Sequence, residues 1–450
     1  MQQVDTLILH SLIVTMDPAG TIIEDGGLAI TGTSITAVGS SEVLEQQFQA
    51  DQTIDAGGGI LMPGLINAHV HSGDLLFRGL VPDIELEPWL EQLWVAEGEY
   101  VTPENMLLAV QTAMLEMIRG GITTALDMFW YPDIYASAAE KLPFRLITGP
   151  VYLTLGGQEN NAGQARLEAA RAFLDMYRGS ELIRPCLMPH GTYTVAPDDL
   201  LETWQLAEEY DALLHIHLSE TRTEVATVEE RYGRRPPAHL DSLGMLSPRT
   251  ILAHGVHLEQ EEIELLTERG ASLVHCPVSN LKLASGIAPV PALLETGVPV
   301  LLGTDGPASS NDLDLWIVLR FAATLHKAVS GDPVFLPAEQ ALRMVTSTAA
   351  EALGIGHLVG SLEPGKRADV ILIDTKKPHL TPLYNVYSHL VYAAGRGDIE
   401  TVLINGRIVL EKGKFTTIDE AGIIAEVHEL GKNIAAFMAA QKTGSRQRTQ

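Results

Sequence analysis

Between Ile60 and about Leu353 the chain alternates short apolar runs with amphipathic segments, and this rhythm restricts its fold more than any other feature. Short strands separated by helix-length crossovers are the mark of a parallel sheet covered by helices. Eight such runs can be read, near 61–70, 122–128, 145–152, 184–189, 213–218, 250–253, 272–275 and 298–303. Eight strands, each followed by a helix, predict an α/β architecture of the (β/α)8 barrel type. The stretch from Thr102 carries the helical half of that reading. It has a capping Thr102, Pro103 in the first turn, and an apolar stripe of Leu107, Val110, Met114, Leu115 and Ile118; Gly120-Gly121 closes it.

The two ends read differently. The first sixty residues break into strands at 6–16, 27–31 and 34–39 with glycine turns, and no helix of useful length fits there. Strand patterning returns at 368–374 and 401–411, where Asn405-Gly406 between alternating apolar runs signals a hairpin. The predicted organisation is therefore a small β-sandwich built from residues 1–60 and 360–418, a barrel at 61–359, and a C-terminal helix at 419–450. Its polar end, from Lys442, is expected to be disordered.

A length of 450 residues accommodates a barrel, typically ~250 residues, with such an accessory module. With 30 basic and 57 acidic residues the net charge of −27 repels phosphate backbones and acidic headgroups, so neither nucleic acid nor a membrane surface is an expected partner. Two cysteines, Cys186 and Cys276, are too few for a disulfide framework and sit in apolar contexts suited to buried thiols. There is no signal-peptide pattern and no long uncharged apolar window, and the expected location is the cytoplasm.

Barrel active sites form at the C-terminal strand ends, and here those ends carry histidines and carboxylates. The first run ends in His69-Val70-His71, two imidazoles on one face because strand side chains repeat every second residue. That pair can hold a metal ion. The fourth run ends at His190, the fifth gives His215, His217 and then Glu220, the sixth His254, the seventh His275, and the eighth Asp305. His215, one layer deeper than His217, reads as a satisfied interior residue. His257, His275 and Asp127 remain open between structural and functional roles.

Several motifs together resemble the amidohydrolase superfamily: Pro63-Gly64-Leu65-Ile66-Asn67-Ala68-His69-Val70-His71, His217-Leu218-Ser219-Glu220, His254-Gly255, Ser279-Asn280-Leu281-Lys282-Leu283 and Gly303-Thr304-Asp305-Gly306. Within it the chain is most similar to the methylthioadenosine/S-adenosylhomocysteine deaminase group, which borders the triazine hydrolases. The resemblance implies a barrel with a two-ended β-sandwich. It implies one divalent metal ion, Zn²⁺ first with Fe²⁺ or Mn²⁺ as alternatives, held by His69, His71, His217 and Asp305. His254 would steer the attacking water, and Glu220 would shuttle its proton to the substrate ring. That work suits a carboxylate whose pKa is lifted by a closed pocket. By the same resemblance Trp89, Glu97, His190 and Ser309 would bind substrate, and the enzyme would be a homo-oligomer acting on a small molecule.

Absences narrow the chemistry. No lysine occurs in Ile183–His190, where binuclear relatives carry a bridging carboxylated lysine, so one metal is favoured over two. Gly360 to Arg367 mimics a phosphate-binding loop, but Arg367 replaces the Ser or Thr and a strand follows instead of a helix. After the third run Thr148-Gly149-Pro150 stands where relatives that bind S-adenosylhomocysteine place an arginine. Losing that charge-assisted bond, worth ~1.5–3 kcal/mol, disfavours a zwitterionic tail. The expected reaction is hydrolytic deamination of 5′-methylthioadenosine or adenosine, with attack on an s-triazine or another N-heterocycle as the alternative. A non-catalytic scaffold would have eroded ligand positions, and none is eroded.

Overall fold

A computed structural model of the chain describes residues 1–81, 83–84, 86–155 and 164–448. Eight parallel barrel strands, numbered here in chain order, are β1 (Leu65–Val70), β2 (Ile122–Asp127), β3 (Arg145–Thr148), β4 (Ile183–Pro189), β5 (Leu213–Leu218), β6 (Thr250–His254), β7 (Ser272–His275) and β8 (Val300–Leu302). They pair in sequence order from β1 to β8. A short strand, Val151–Tyr152, adds to the end of β4.

The seam between β8 and β1 is closed by polar groups. Asp305 N–H donates to the His69 carbonyl at 3.1 Å. The Asn67 amide donates to Thr304 Oγ1 at 2.7 Å and accepts from Thr304 N–H at 3.1 Å. Gly303 permits this approach, because a Cβ there would lie 2.8 Å from His69 Cβ and 2.9 Å from its carbonyl oxygen. The barrel is thus stitched at the two strand ends that carry His69 and Asp305.

Side-chain parity sorts the barrel contents. Cys186 and Met188 of β4, Leu213 of β5, Ile251 of β6, Val274 of β7 and Leu301 of β8 share one apolar cluster inside the barrel. Leu214, Ile216 and Leu218 face instead the larger cluster between strands and helices. Helix Pro103–Arg119 packs as the sequence predicts. Thr102 caps it by accepting from Asn105 N–H, its buried stripe includes Val110, Met114 and Ile118, and Trp316 Nε1 donates to the Gly120 carbonyl at 2.8 Å.

Both chain ends form a second, nine-stranded mixed sheet in which Gln2–Val14 lies beside Ile60–Pro63, itself paired with Val370–Ile373. Ile8, Leu28, Ile30, Leu61, Val370 and Leu403 meet in its own apolar cluster. The run read as one strand at 61–70 is two: Ile60–Pro63 belongs to the end sheet, and the barrel strand begins at Leu65. A seven-residue helix, Ser41–Gln47, stands in the N-terminal part expected to lack helices. Helix Glu420–Arg448 continues through most of the tail expected to be disordered, and 449–450 lie outside the described residues. The 360–367 segment is a turn leading into Val370–Ile373, without a helix.

One buried ion pair fastens the end sheet to the barrel. Arg145, at the start of β3, is bidentate to Asp369 at 2.9 and 3.0 Å, and Asp369 also accepts from Asn405 N–H at 2.8 Å. Removing one partner leaves a buried charge without compensation. Asp369→Ala is expected to lower unfolding free energy by about 3–5 kcal/mol, measured by chemical denaturation, with no change in the metal content of the folded protein.

Candidate active site

At the C-terminal end of the barrel, His69, His71 and His217 form one group of potential ligand atoms all within 4.8 Å of one another, and His69, His254 and Asp305 form a second. His71 and His217 present Nε2 atoms 3.3 Å apart. Asp305 Oδ1 lies 3.5 Å from His69 Nε2 and 3.3 Å from His71 Nε2. His69 Nε2 is buried and has no hydrogen-bond partner among the described residues.

The far nitrogens explain why these Nε2 atoms are lone-pair donors. His71 Nδ1 lies 2.5 Å from the Met128 carbonyl and His217 Nδ1 2.7 Å from the His190 carbonyl, contacts that require the proton on Nδ1. His69 Nδ1 contacts His215 Nε2 at 2.7 Å, while His215 Nδ1 donates to the Ile251 carbonyl at 2.9 Å. His215 therefore accepts from His69 and leaves His69 Nε2 bare. His215 is the satisfied interior residue the sequence suggests, and it also orients His69.

Electrostatics point the same way. Burial, before any other influence, pushes the His69 pKa down to about 3 and lowers that of His71 and His217, so these imidazoles are neutral near pH 7. Burial opposes the charge of Asp305, but the surrounding imidazoles hold its carboxyl well below the usual range. Ser279 Oγ and Gly306 N–H, at 2.5 and 2.8 Å, donate to its two oxygens. Burial also disfavours charged His254, yet Glu220, Asp305 and Asn280 outweigh it and raise its pKa. Neutral imidazoles around a carboxylate, with a buried nitrogen left over, are the donor set of a divalent-cation centre.

A solvent-open cavity of about 890 Å³ adjoins this centre. Glu220 faces it 3.6 Å from His254 Nε2, and Trp89, Glu97, His190 and Ser309 all line it. His190 Nδ1 contacts Thr194 Oγ1 at 2.9 Å, and Ser309 Oγ donates to the Gly306 carbonyl at 3.0 Å. Burial pushes Glu97 up to about 7.

The three open residues divide. His275 stands on the opposite face of β7 from Val274, and its Nε2 meets His326 Nε2, on helix Leu315–Ser330, at 3.0 Å away from the ligand cluster. His257 holds a loop through the Ser285 carbonyl at 2.9 Å. Asp127 accepts from Ser72 N–H at 3.1 Å and is pushed up to about 7 by burial.

Some site residues escaped the sequence reading. Asn280 Oδ1 orients His254 at 3.0 Å. Asp74 is buried in the cavity wall with Oδ1 unpartnered among the described residues; burial first, then Glu97, raises its pKa well above the carboxylate range. Glu224 lies behind the Glu220 loop, where its signal was the pattern Thr221-x-x-Glu224, a capping-box spacing.

A parallel barrel that gathers imidazoles and carboxyl groups able to hold a divalent cation at its strand ends has the architecture of a metal-dependent hydrolase. Residues 60–409 match the amidohydrolase family, and the chain belongs to it. It is 42% identical over 431 residues to a 5-methylthioadenosine/S-adenosylhomocysteine deaminase of Syntrophobacter fumaroxidans, covering 96% of this chain and 98% of that one. The crystal structure of a zinc-bound adenosine deaminase from Xanthomonas campestris superposes with TM-score 0.94 at 36% identity, over 97% and 99% of the two chains. The zinc complex of an atrazine chlorohydrolase from Arthrobacter aurescens is similar at TM-score 0.87 and 28% identity, over 95% and 100%.

The His275–His326 pair generates a pH prediction. Burial lowers His326 to about 4 and His275 well below its ordinary value, whereas unfolded histidine titrates near ~6.5. The folded state refuses protons that the unfolded chain takes up, so the pair's contribution is complete above that value and drains as pH falls toward the folded values. His326→Gln is expected to flatten the loss of stability between about pH 6.5 and 4.5, by up to ~1.4 kcal/mol per pH unit in urea unfolding.

Proposed function

We propose that this protein is a metal-dependent aminohydrolase that replaces the 6-amino group of an aminopurine nucleoside with oxygen, releasing ammonia, and that it takes 5′-methylthioadenosine or adenosine in preference to S-adenosylhomocysteine. The observation that carries this reading is the continuity of one cavity from the cation centre, past Glu220 and His254, to Trp89, Glu97 and His190. The names of the similar deaminases support the nucleoside, and the lower likeness of the atrazine chlorohydrolase places the triazine reading second.

In this reading residues 61–359 are the catalytic unit, and His69, His71, His217 and Asp305 hold one ion, taken as zinc on the donor set and the zinc in similar structures. When bound, the ion supplies Lewis acidity that makes water a nucleophile near neutral pH. Glu220 takes one proton from the attacking water and delivers it to the ring nitrogen beside the reacting carbon; it then passes the second proton of that water to the departing amine, which leaves as ammonia. His254 orients the water opposite Glu220, and Ser309 lies beside the departing amine. His190 and Glu97 place the nucleoside, and Trp89 packs on it. The two buried free thiols and the lack, among the described residues, of a helix long and apolar enough to cross a membrane accord with a cytoplasmic place of action. The homo-oligomer implied by resemblance is retained as part of the proposal.

The preference among nucleosides follows from charge. Among the described residues no Lys or Arg lines the cavity, while Asp74, Glu97, Glu220 and Asp305 do. The undescribed 156–163 segment contains no basic residue either. A zwitterionic amino-acid tail finds no cation for its carboxylate. kcat/KM for 5′-methylthioadenosine and adenosine is expected to exceed that for S-adenosylhomocysteine by ~10- to 100-fold, and the reverse order would refute the charge argument. A chlorotriazine arm in the same assay is expected to give no comparable chloride release. His217→Ala is expected to lose the metal in elemental analysis, whereas Glu220→Ala keeps it and loses ~10²–10⁴-fold in kcat.

A further inference from the structure

We propose that Glu224 is a positioning residue for proton transfer, its carboxylate fixing the backbone of Ser219 and Glu220 so that the Glu220 side chain is aimed into the cavity. This rests on the reading of Glu220 given above. Glu224 Oε1 accepts from Ser219 N–H at 2.9 Å and Oε2 accepts from Glu220 N–H at 2.7 Å. The side chain is buried, at 4% exposure, so neither bond competes with water.

The geometry goes beyond helix capping. Glu224 occupies the third position of helix Arg222–Tyr232, whose cap Thr221 already accepts from Glu224 N–H at 3.0 Å. An ordinary capping box would send the glutamate back only to the cap residue's N–H. Here it reaches the two residues before the cap. Ser219 has φ = 50°, a left-handed conformation that a non-glycine residue holds only when its surroundings impose it. The opposite side of the loop is pinned to the end of β6, with Gly255 N–H donating to the Leu218 carbonyl and His257 N–H to the Ser219 carbonyl, both at 2.9 Å. Carbonyls bound on one side and N–H groups on the other leave the loop one conformation, and in it Glu220 lies 3.6 Å from His254. The Glu224 charge also reaches His254, where it favours the imidazolium.

A substrate pair separates aiming from folding. Adenosine and 6-chloropurine riboside with water give the same product, releasing ammonia and hydrogen chloride respectively. Both need Glu220 to pass one proton to the ring nitrogen, but only the amine needs it to pass a second in order to leave. For Glu224→Gln, which keeps the shape while opposing an NH2 to a backbone N–H, kcat on adenosine is expected to fall ~10- to 100-fold. On 6-chloropurine riboside, which draws on Glu220 once instead of twice, the fall is smaller by ~3-fold or more, with KM within ~3-fold and metal content unchanged. Glu224→Ala follows the same pattern where it folds. Thr221→Val, which removes only the helix cap, lowers thermal stability and leaves the ratio of the two rates as in the parent. Equal loss on both substrates, an unchanged ratio in the Gln variant, or activity lost in step with metal overturns the proposal. If the parent enzyme deaminates no aminopurine nucleoside, it is the proposed function that fails instead.

Discussion

The structure depends on a set of nitrogen and oxygen lone pairs turned toward one another inside an apolar barrel. His69, His71, His217 and Asp305 converge, and His69 Nε2 is buried with no hydrogen-bond partner among the described residues. Such an arrangement is unfavourable alone, because a buried polar group without a partner costs about 1–3 kcal/mol. In the proposed reading a divalent cation would convert the liability into the strongest local attraction. The remaining hydrogen bonds make the convergence unavoidable, since each far nitrogen is held by a carbonyl or, for His69, by His215 on β5 across the barrel. Strand register and ligand geometry are consequently one constraint. A slip of β1 against β2 would move the Met128 carbonyl away from His71, and a slip of β4 against β5 would release His217.

The same ends of the barrel hold its unusual backbone. Ser219, His254 and Asp305, each at the end of a strand that supplies the site, have φ of 50°, 75° and 62°. Non-glycine residues there cost of order 1–3 kcal/mol each and persist only where other contacts over-determine them. Those contacts are present: Glu224 beneath Ser219, Asn280 against His254, and Ser279, Gly306 N–H and the Asn67–Thr304 pair around Asp305. A straight strand alternates its side chains and cannot turn successive functional groups toward one point. Left-handed residues at the strand ends re-aim the chain, and the buried polar residues behind them keep it there.

What could be read in the sequence follows from this division. The eight runs and the His-x-His ending β1 were legible because period-two patterning and strand-end placement are local properties. The seam at Gly303 was not, since a glycine needed for close approach looks like any glycine until its neighbour is known. His275 illustrates the limit. It ends a barrel strand as His254 does and His217 nearly does, but its parity, opposite to that of Val274 and Cys276, turns it outward to His326. The alternation was visible in the sequence, whereas which face was interior was not. Glu224 carried a capping signature that pointed to a helix start, and only the three-dimensional loop reveals that its carboxylate passes the cap. The tail beyond Lys442 read as polar and short, and so as disordered, yet the helix from Glu420 runs on through it to Arg448.

In the proposed reading, charge in the cavity favours recognition by hydrogen bonding over ion pairing. Four carboxyl side chains line a space that, among the described residues, no Lys or Arg side chain lines. Were all four ionised, their mutual repulsion in a poorly hydrated wall would be prohibitive. Burial resolves this by driving the group apart: Asp305, surrounded by imidazoles, is held ionised, while Asp74 is raised well above its ordinary range and Glu97 to about 7. In the proposed reading the ionised member sits where the cation would neutralise it. Asp74 and Glu97, both raised by burial, line the remainder, where a carboxyl that keeps its proton can both donate and accept. A wall of that kind suits an uncharged ligand rich in hydroxyls and ring nitrogens and gives no hold to an anionic tail. The −27 net charge of the chain acts in the same sense at longer range.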